Sequence, residues 1–178
     1  MQALLYRYTK TERKELLASL VVLVDTREQA NLNIVDYFES KNIKYKNRKL
    51  DFGDYSFMLP ENPAAGIHRP IFYDNELVIE RKRNLNELSN NLSHDRTQFE
   101  NELIRGYNSK FILMIEDPAG YENIIKHNYK TQYRPKSFIG TLHTFRHRYN
   151  IEINFIDPKY SGNFIYYSCY YWLREQLK

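Results

Sequence analysis

A mixed α/β fold, with a mixed central sheet flanked by helices, is predicted by two observations. Strand-length apolar runs alternate with stretches of helical period, in the order strand, helix, two-stranded hairpin, helix, strand, helices, strand, helix. Two of those runs, residues 20–24 and 111–115, are apolar without a break, the pattern of strands covered on both faces. A chain of 178 residues has room for one full hydrophobic core and little more. Residues 1–19 read as a helical lead-in and residues 20–178 as the main domain.

The elements follow in order. Residues 9–19 form a short charged helix after a tyrosine-rich lead-in, laid as a flap on the domain. The strand at 20–24 ends on Asp25, where sheets of this kind place chemistry. Asn31 can cap a helix carrying Ile34, Val35 and Phe38. Residues 44–59 alternate like one strand broken near Gly53, and residues 60–74, with three prolines and one glycine, form a loop before a strand at 76–82. A hairpin with a long connection is the simplest reading. Residues 84–107 read as one amphipathic helix, with Leu85, Leu88, Leu92, Phe99 and Leu103 on its apolar stripe and Arg96 on the same stripe. A strand at 111–115, helices at 121–127 and 135–149, a strand at 151–156 and a helix at 161–176 complete the chain. Pro135 suits a first helical turn.

Lys and Arg number 26 against 22 Asp and Glu, a net charge of +4, which is compatible with a polyanionic partner without demanding one. Cys169 is the only cysteine, so neither an internal disulfide nor a thiolate pair for zinc can form, and a reducing, cytoplasmic setting fits. No apolar run is long enough for a membrane span or a signal peptide, and no membrane partner is expected. A small-molecule cofactor is not expected either, because no glycine-rich phosphate loop or nucleophile elbow is present.

Four charged residues carry the candidate chemistry. Phosphodiester hydrolysis uses a divalent cation with oxygen ligands, and carboxylates at strand ends supply them. Glu80 and Lys82 stand two apart on a strand, so they project from one face roughly 7 Å apart. The lysine there can orient or help deprotonate a nucleophile. Asp54 follows the Gly53 bend and can aim at the same ion as Glu80, and Asp25 can complete the cluster. Taken alone, an Asp followed at a distance by Glu-x-Lys is weak, and the bland alternative is a solvated strand end with Asp54 capping a turn.

The surrounding residues sharpen the signal. Val24-Asp25-Thr26-Arg27-Glu28, Leu50-Asp51-Phe52-Gly53-Asp54-Tyr55 and Val78-Ile79-Glu80-Arg81-Lys82 occur in that order, each at a predicted strand. This resembles the nuclease domain of the XPF-type structure-specific endonucleases, whose signature is V-D-x-R-E, then G-D-Y, then E-R-K-x-x-x-D. The resemblance spans residues 20–116 by motif and implies a restriction-endonuclease-like, PD-(D/E)xK nuclease core in a stand-alone domain, of bacterial, phage or plasmid type. It also implies Asp25, Asp54 and Glu80 as metal ligands for Mg²⁺ or Mn²⁺, Lys82 as catalytic lysine, and Arg27 and Arg81 as active-site arginines. Glu28 matches the acid of the first motif and is a candidate supporting residue. One departure stands out: the final Asp of the signature falls on Asn86, with Glu87 beside it. Asn keeps an oxygen and loses the charge, which leaves two readings open, an active DNA endonuclease and a catalytically impaired homologue that binds DNA or a partner.

Arg96 is read two ways, as a partner of Glu100 on its own helix or as a contact to DNA phosphate. His143 and His147 share a helix face, but Thr144 replaces the glutamate a zinc protease needs, so a solvated or phosphate-facing pair is expected. Lys44, Lys46, Arg48 and Lys49, and separately Lys126, Lys130, Arg134 and Lys136, form basic groups that bind DNA phosphates if they flank a cleft. Tyr129 and Tyr133 are either stacking platforms for bases or packed loop tyrosines. The last helix is aromatic on most sides, with Trp172, Tyr166, Tyr167, Tyr170 and Tyr171, and together with the resemblance this predicts a homodimer.

Overall fold

The computed structural model describes residues 7–178, so the start of the tyrosine-rich lead-in lies outside the described residues. Seven strands are described: β1 (Val21–Val24), β2 (Tyr45–Asn47), β3 (Tyr55–Leu59), β4 (Ile71–Phe72), β5 (Leu77–Lys82), β6 (Lys110–Glu116) and β7 (Glu152–Ile156). They form one sheet in the order β2-β1-β3-β5-β6-β7, with β4 paired to β3. β1 is parallel to β2 and antiparallel to β3, β3 is antiparallel to β5, and β5, β6 and β7 are mutually parallel. The expected mixed sheet is therefore present. No described helix is long and apolar enough to cross a membrane.

The helices are α1 (Lys10–Ala18), α2 (Leu32–Ser40), α3 (Leu85–Leu92), α4 (Arg96–Arg105), α5 (Gly120–Ile125), α6 (Pro135–Arg148) and α7 (Ser161–Gln176). Strand alternation sends side chains to two cores. Leu77 and Ile79 of β5 and Ile112 and Met114 of β6 pack with α1, α2 and α7, whereas Val78, Phe111, Leu113 and Ile115 pack with α3, α4 and α6. α1 starts at a capping box, in which the Thr9 hydroxyl accepts from the Glu12 N–H and the Glu12 carboxylate accepts from the Thr9 N–H. Its Leu16 and Leu17 are buried in the first core, each worth roughly 1.5–3 kcal/mol of transfer free energy. That burial holds α1 against α7.

Three elements differ from the sequence expectation. Residues 44–59 are two strands, not one, and they lie on opposite sides of β1. The Arg48 N–H bonds to Val24 O, and the next turn is caught by Asp25, whose carboxylate accepts from the Leu50 N–H at 2.6 Å. The chain thus leaves one edge of β1 and returns along the other. Residues 84–107 are two helices, because the Ser93 hydroxyl donates back to Ser89 O at 2.6 Å and the Asp95 N–H turns to Asn90 O. Leu92 and Phe99 are seven residues apart, so the apolar stripe stays in phase across the break and conceals it. Asn31 stands at the start of α2 without capping it; its amide donates to the Tyr55 hydroxyl at 3.2 Å inside the protein.

Candidate active site

The end of β1, the start of the antiparallel β3 and the end of β5 meet at one end of the sheet. Register does this: Val24 pairs with Tyr55, and Tyr55 with Ile79, so Asp25, Asp54 and Glu80 follow side by side. The Asp25 N–H donates to Asp54 O at 2.7 Å and the Asp54 N–H to Ile79 O at 3.0 Å. Gly53 makes the junction possible. It adopts φ 70°, and a Cβ there would lie 2.0 Å from Val78 Cγ1, so no larger residue fits in this conformation.

Glu80, Arg81 and Lys82 are 4%, 5% and 6% exposed, which rules out a solvated strand end. Lys82 Nζ donates to Glu80 Oε1 and sits 4.9 Å from the Phe99 ring centre. Glu80 Oε2 is buried and, among the described residues, accepts no hydrogen bond. Burial raises the Glu80 pKa well above the ordinary carboxylate value, and the nearby Asp54 raises it further while Lys82 opposes both. Asp54 is pushed up to about 7, first by burial, against the pull of the Arg81 N–H that donates to its Oδ2 at 2.8 Å and of the Lys82 charge. Burial alone would lower the Lys82 pKa, but the Glu80 carboxylate outweighs it and holds the ammonium above its ordinary value. The three groups form one buried, strongly interacting cluster.

Asp25 and Arg81 are engaged differently. Asp25 Oδ1 accepts from the Arg27 N–H at 2.8 Å and from Arg27 Nε at 2.7 Å, and Oδ2 accepts from Arg27 Nη2 at 3.1 Å as well as from Leu50. Burial works to raise its pKa, but these donors together hold it below the usual value. These bonds order the turn after β1. Arg81 projects to the opposite face of the sheet from Glu80 and Lys82. Its guanidinium bonds Glu28 at 3.1 Å, Ala30 O at 2.8 Å and Glu116 at 2.8 Å, while the other Glu116 oxygen accepts from the Ser161 hydroxyl at 2.6 Å. Glu28 is itself raised, by burial first, with the Arg81 charge opposing.

A cavity of about 450 Å³ opens at this point, lined by Arg27, Glu28, Asp54, Glu80, Arg81, Arg83 and Glu87 among others. Glu87 accepts from the Arg83 N–H at 3.0 Å and from its Nε at 3.2 Å at the cavity wall. Asn86 faces elsewhere, its Oδ1 accepting from the Lys130 N–H at 2.6 Å. Arg96 pairs with Glu100 at 3.5 Å and lies 5.2 Å from the Phe145 ring, outside the lining of the cavity. Tyr129 and Tyr133 pack on Phe138, and His143 approaches the Tyr121 hydroxyl at 3.2 Å. Among the described residues no group of three or more His, Cys, Asp and Glu side chains comes together as a metal cage.

Two acids escaped the sequence reading. Glu102 of α4 accepts from the Gly53 N–H at 3.0 Å and adds its charge to the field on Asp54, Glu80 and Lys82. Nothing in its helical spacing sets it apart from the other acid of α4, Glu100. Glu116 ends a buried strand as Asp25 does, so the signal that singled out Asp25 was equally available for it.

A mixed sheet with paired acids and a lysine at one end defines a protein of the restriction-endonuclease-like class. The ERCC4 domain family matches residues 24–168, and the chain belongs to that family, in keeping with the XPF-type resemblance. Among solved structures it is similar to XPF from Aeropyrum pernix, at TM-score 0.59 and 19% identity, covering 84% of this chain and 63% of that one. It is likewise similar to XPF from Aeropyrum pernix in complex with DNA, at TM-score 0.60 and 18% identity, covering 87% and 65%. The chain thus spans just under two thirds of those structures, and at such identities the likeness concerns the fold. Comparison with curated protein sequences finds no match.

Proposed function

We propose that the chain is a metal-dependent DNA endonuclease that hydrolyses phosphodiester bonds at branched, nicked or otherwise structured DNA. One observation carries this reading: Glu80 keeps a buried oxygen without a partner beside Asp54, whose carboxyl is raised to about 7, and Lys82. Two hard oxygen donors that repel each other in a buried site fit Mg²⁺ or Mn²⁺, and Asp54 and Glu80 would hold the ion. Such a cation supplies Lewis acidity to the phosphate and lowers the pKa of a bound water.

The chain's own residues do the rest. Lys82, whose ammonium Glu80 holds charged, would offer N–H donors to a water or a phosphate oxygen. Arg27, anchored on Asp25 yet exposed at the cavity, presents charge to a phosphate oxygen. Arg81 holds Asp54 through its backbone and keeps Glu28 and Glu116 in place. The DNA-bound XPF structure among the similar folds supports DNA as substrate. Exposed Tyr167 and Tyr171 on α7 support a homodimer.

The impaired-homologue reading draws on the uncharged Asn86. Against it, Asn86 serves as a backbone acceptor for Lys130, a task an aspartate would perform equally. The test is incubation of branched, nicked and plain duplex DNA with Mg²⁺ or Mn²⁺, comparing the parent with Asp54→Ala and Lys82→Ala. The parent is expected to cut and both variants to lose at least 100-fold in rate, the scale of one lost catalytic electrostatic contact. Equal cleavage by all three refutes the mechanism, and salt-sensitive binding without cleavage by the parent selects the impaired homologue.

A further inference from the structure

A second basic feature lies away from the acid cluster, in a groove of about 350 Å³ between α1 and α7. Lys10, Arg13 and Lys14 line one wall and Arg174 and Lys178 the other, over a floor that includes Leu17 and Tyr170. We propose that this groove binds the phosphate backbone of a DNA arm extending from the cleavage site. The proposal rests on the DNA-directed reading above.

No carboxylate lines the groove. Glu12 of α1 is engaged in capping with Thr9, and Glu175 pairs with two of the groove's cations, Arg174 at 3.4 Å and Lys178 at 2.5 Å. Lys10, Arg13 and Lys14 have no ion pair among the described residues. Their placement is also unfavourable for the fold. Lys10 opens α1, where the helix dipole repels a cation, and Lys10, Arg13 and Lys14 crowd one wall as unpaired like charges while Glu175 offsets part of the charge on the other. A polyanion would relieve both costs. Lys10 and Lys14 are one helical step of four residues apart, about 6 Å along the axis of α1. The planar Arg174 guanidinium, 4.6 Å from the Tyr171 ring, is pre-ordered for a phosphate oxygen. Ser161, at the start of α7, bonds Glu116 of the Arg81 brace and is thirteen residues from Arg174, so the groove stands about 20 Å along α7 from that brace. A duplex arm can bridge that distance.

The experiment measures binding of labelled branched and duplex DNA in EDTA over a range of salt. It compares the parent, the triple variant Lys10→Gln, Lys14→Gln, Arg174→Gln, and a charge-matched control, Lys41→Gln, Arg69→Gln, Lys159→Gln. All six positions are exposed, and thermal melts verify folding. The triple variant is expected to lower the slope of log K against log salt by about 2 to 3, close to one per lost contact, with at least tenfold weaker binding. The control is expected to shift neither by a comparable amount. Equal slopes for the triple variant and the control overturn the proposal. Should the parent cut DNA and the triple variant bind with the parent's slope, the groove proposal falls while the nuclease reading stands. Tight binding of poly-glutamate by the parent, lost in the triple variant while DNA binding is kept, assigns the groove to an acidic peptide instead and refutes the proposal.

Discussion

Asp54→Asn tests the electrostatics of the acid cluster without any substrate. Burial moves the Asp54 carboxyl from an ordinary 3.8 to about 7. Because the folded state binds this proton more tightly than the unfolded state, the unfolded chain gains as pH rises from about 4 to 7. The cost to the fold is therefore absent below the unfolded value and complete above about 7. Three units correspond to roughly 4 kcal/mol at about 1.4 kcal/mol per unit. The asparagine still accepts from the Arg81 N–H, whose loss of charge assistance, like that of Lys82, is already contained in the net shift; the amide's own N–H donors enter a buried site, where an unpaired one costs about 1–2 kcal/mol. The expected net result is a variant about 1–3 kcal/mol more stable than the parent at pH 8 in EDTA, with little difference at pH 4. In a protein of this size that is a melting increase of about 2–12 °C. Urea and thermal unfolding at a series of pH values read it directly. A variant less stable than the parent at pH 8, or a difference that does not shrink on acidification, refutes the reasoning.

Other substitutions probe other parts of the site. Lys82→Met leaves Glu80 buried without its cation and is expected to cost about 3–5 kcal/mol in urea titrations, with most of the loss recovered when Glu80→Gln is added. Gly53→Ala must relieve a Cβ placed 2.0 Å from Val78 while keeping φ at 70°, so a loss of about 2–4 kcal/mol is expected by calorimetry. Arg81→Lys cannot reach Glu28, Ala30 and Glu116 together and is expected to destabilise by about 2–4 kcal/mol, whereas an unchanged unfolding midpoint would remove Arg81 from its bracing role. Light scattering at micromolar concentration is expected to give a dimer mass for the parent and a monomer mass for Tyr167→Asp, Tyr171→Asp; a monomeric parent ends the dimer proposal.

The fold was legible where each element announced itself within a few residues. Runs of strand length, the charged helical stretch at 9–19 and Pro135 at a first turn are local signals, and the matching elements formed. Misreadings arose where the deciding contact is distant in sequence. Residues 44–59 look continuous until Asp25, twenty-five residues before Leu50, captures the Leu50 N–H. The two-helix segment kept one apolar phase because Leu92 and Phe99 are separated by two full turns. At the site, motif order brought Asp54, Glu80 and Lys82 to one place, as register required. Separating the role of Asp25 from that of Asp54 needed coordinates, since both are acids at strand ends. Glu102 reaches the cluster only because α4 folds over Gly53, which no spacing along the chain reports.

The three consecutive charges of β5 belong to two different devices. Glu80 and Lys82 enter the acid cluster on one side of the sheet, and the Arg81 side chain braces the turn after β1, the end of β6 and the start of α7 on the other. On the nuclease reading proposed above, selection on chemistry and selection on folding act on neighbouring letters of one motif. A descendant without cleavage would then be free to exchange Glu80 and Lys82 together for an apolar pair, yet it would still be held to arginine at position 81. The inner arginine, more than the outer acid and lysine, is the letter by which a silent lineage of this fold would remain recognisable.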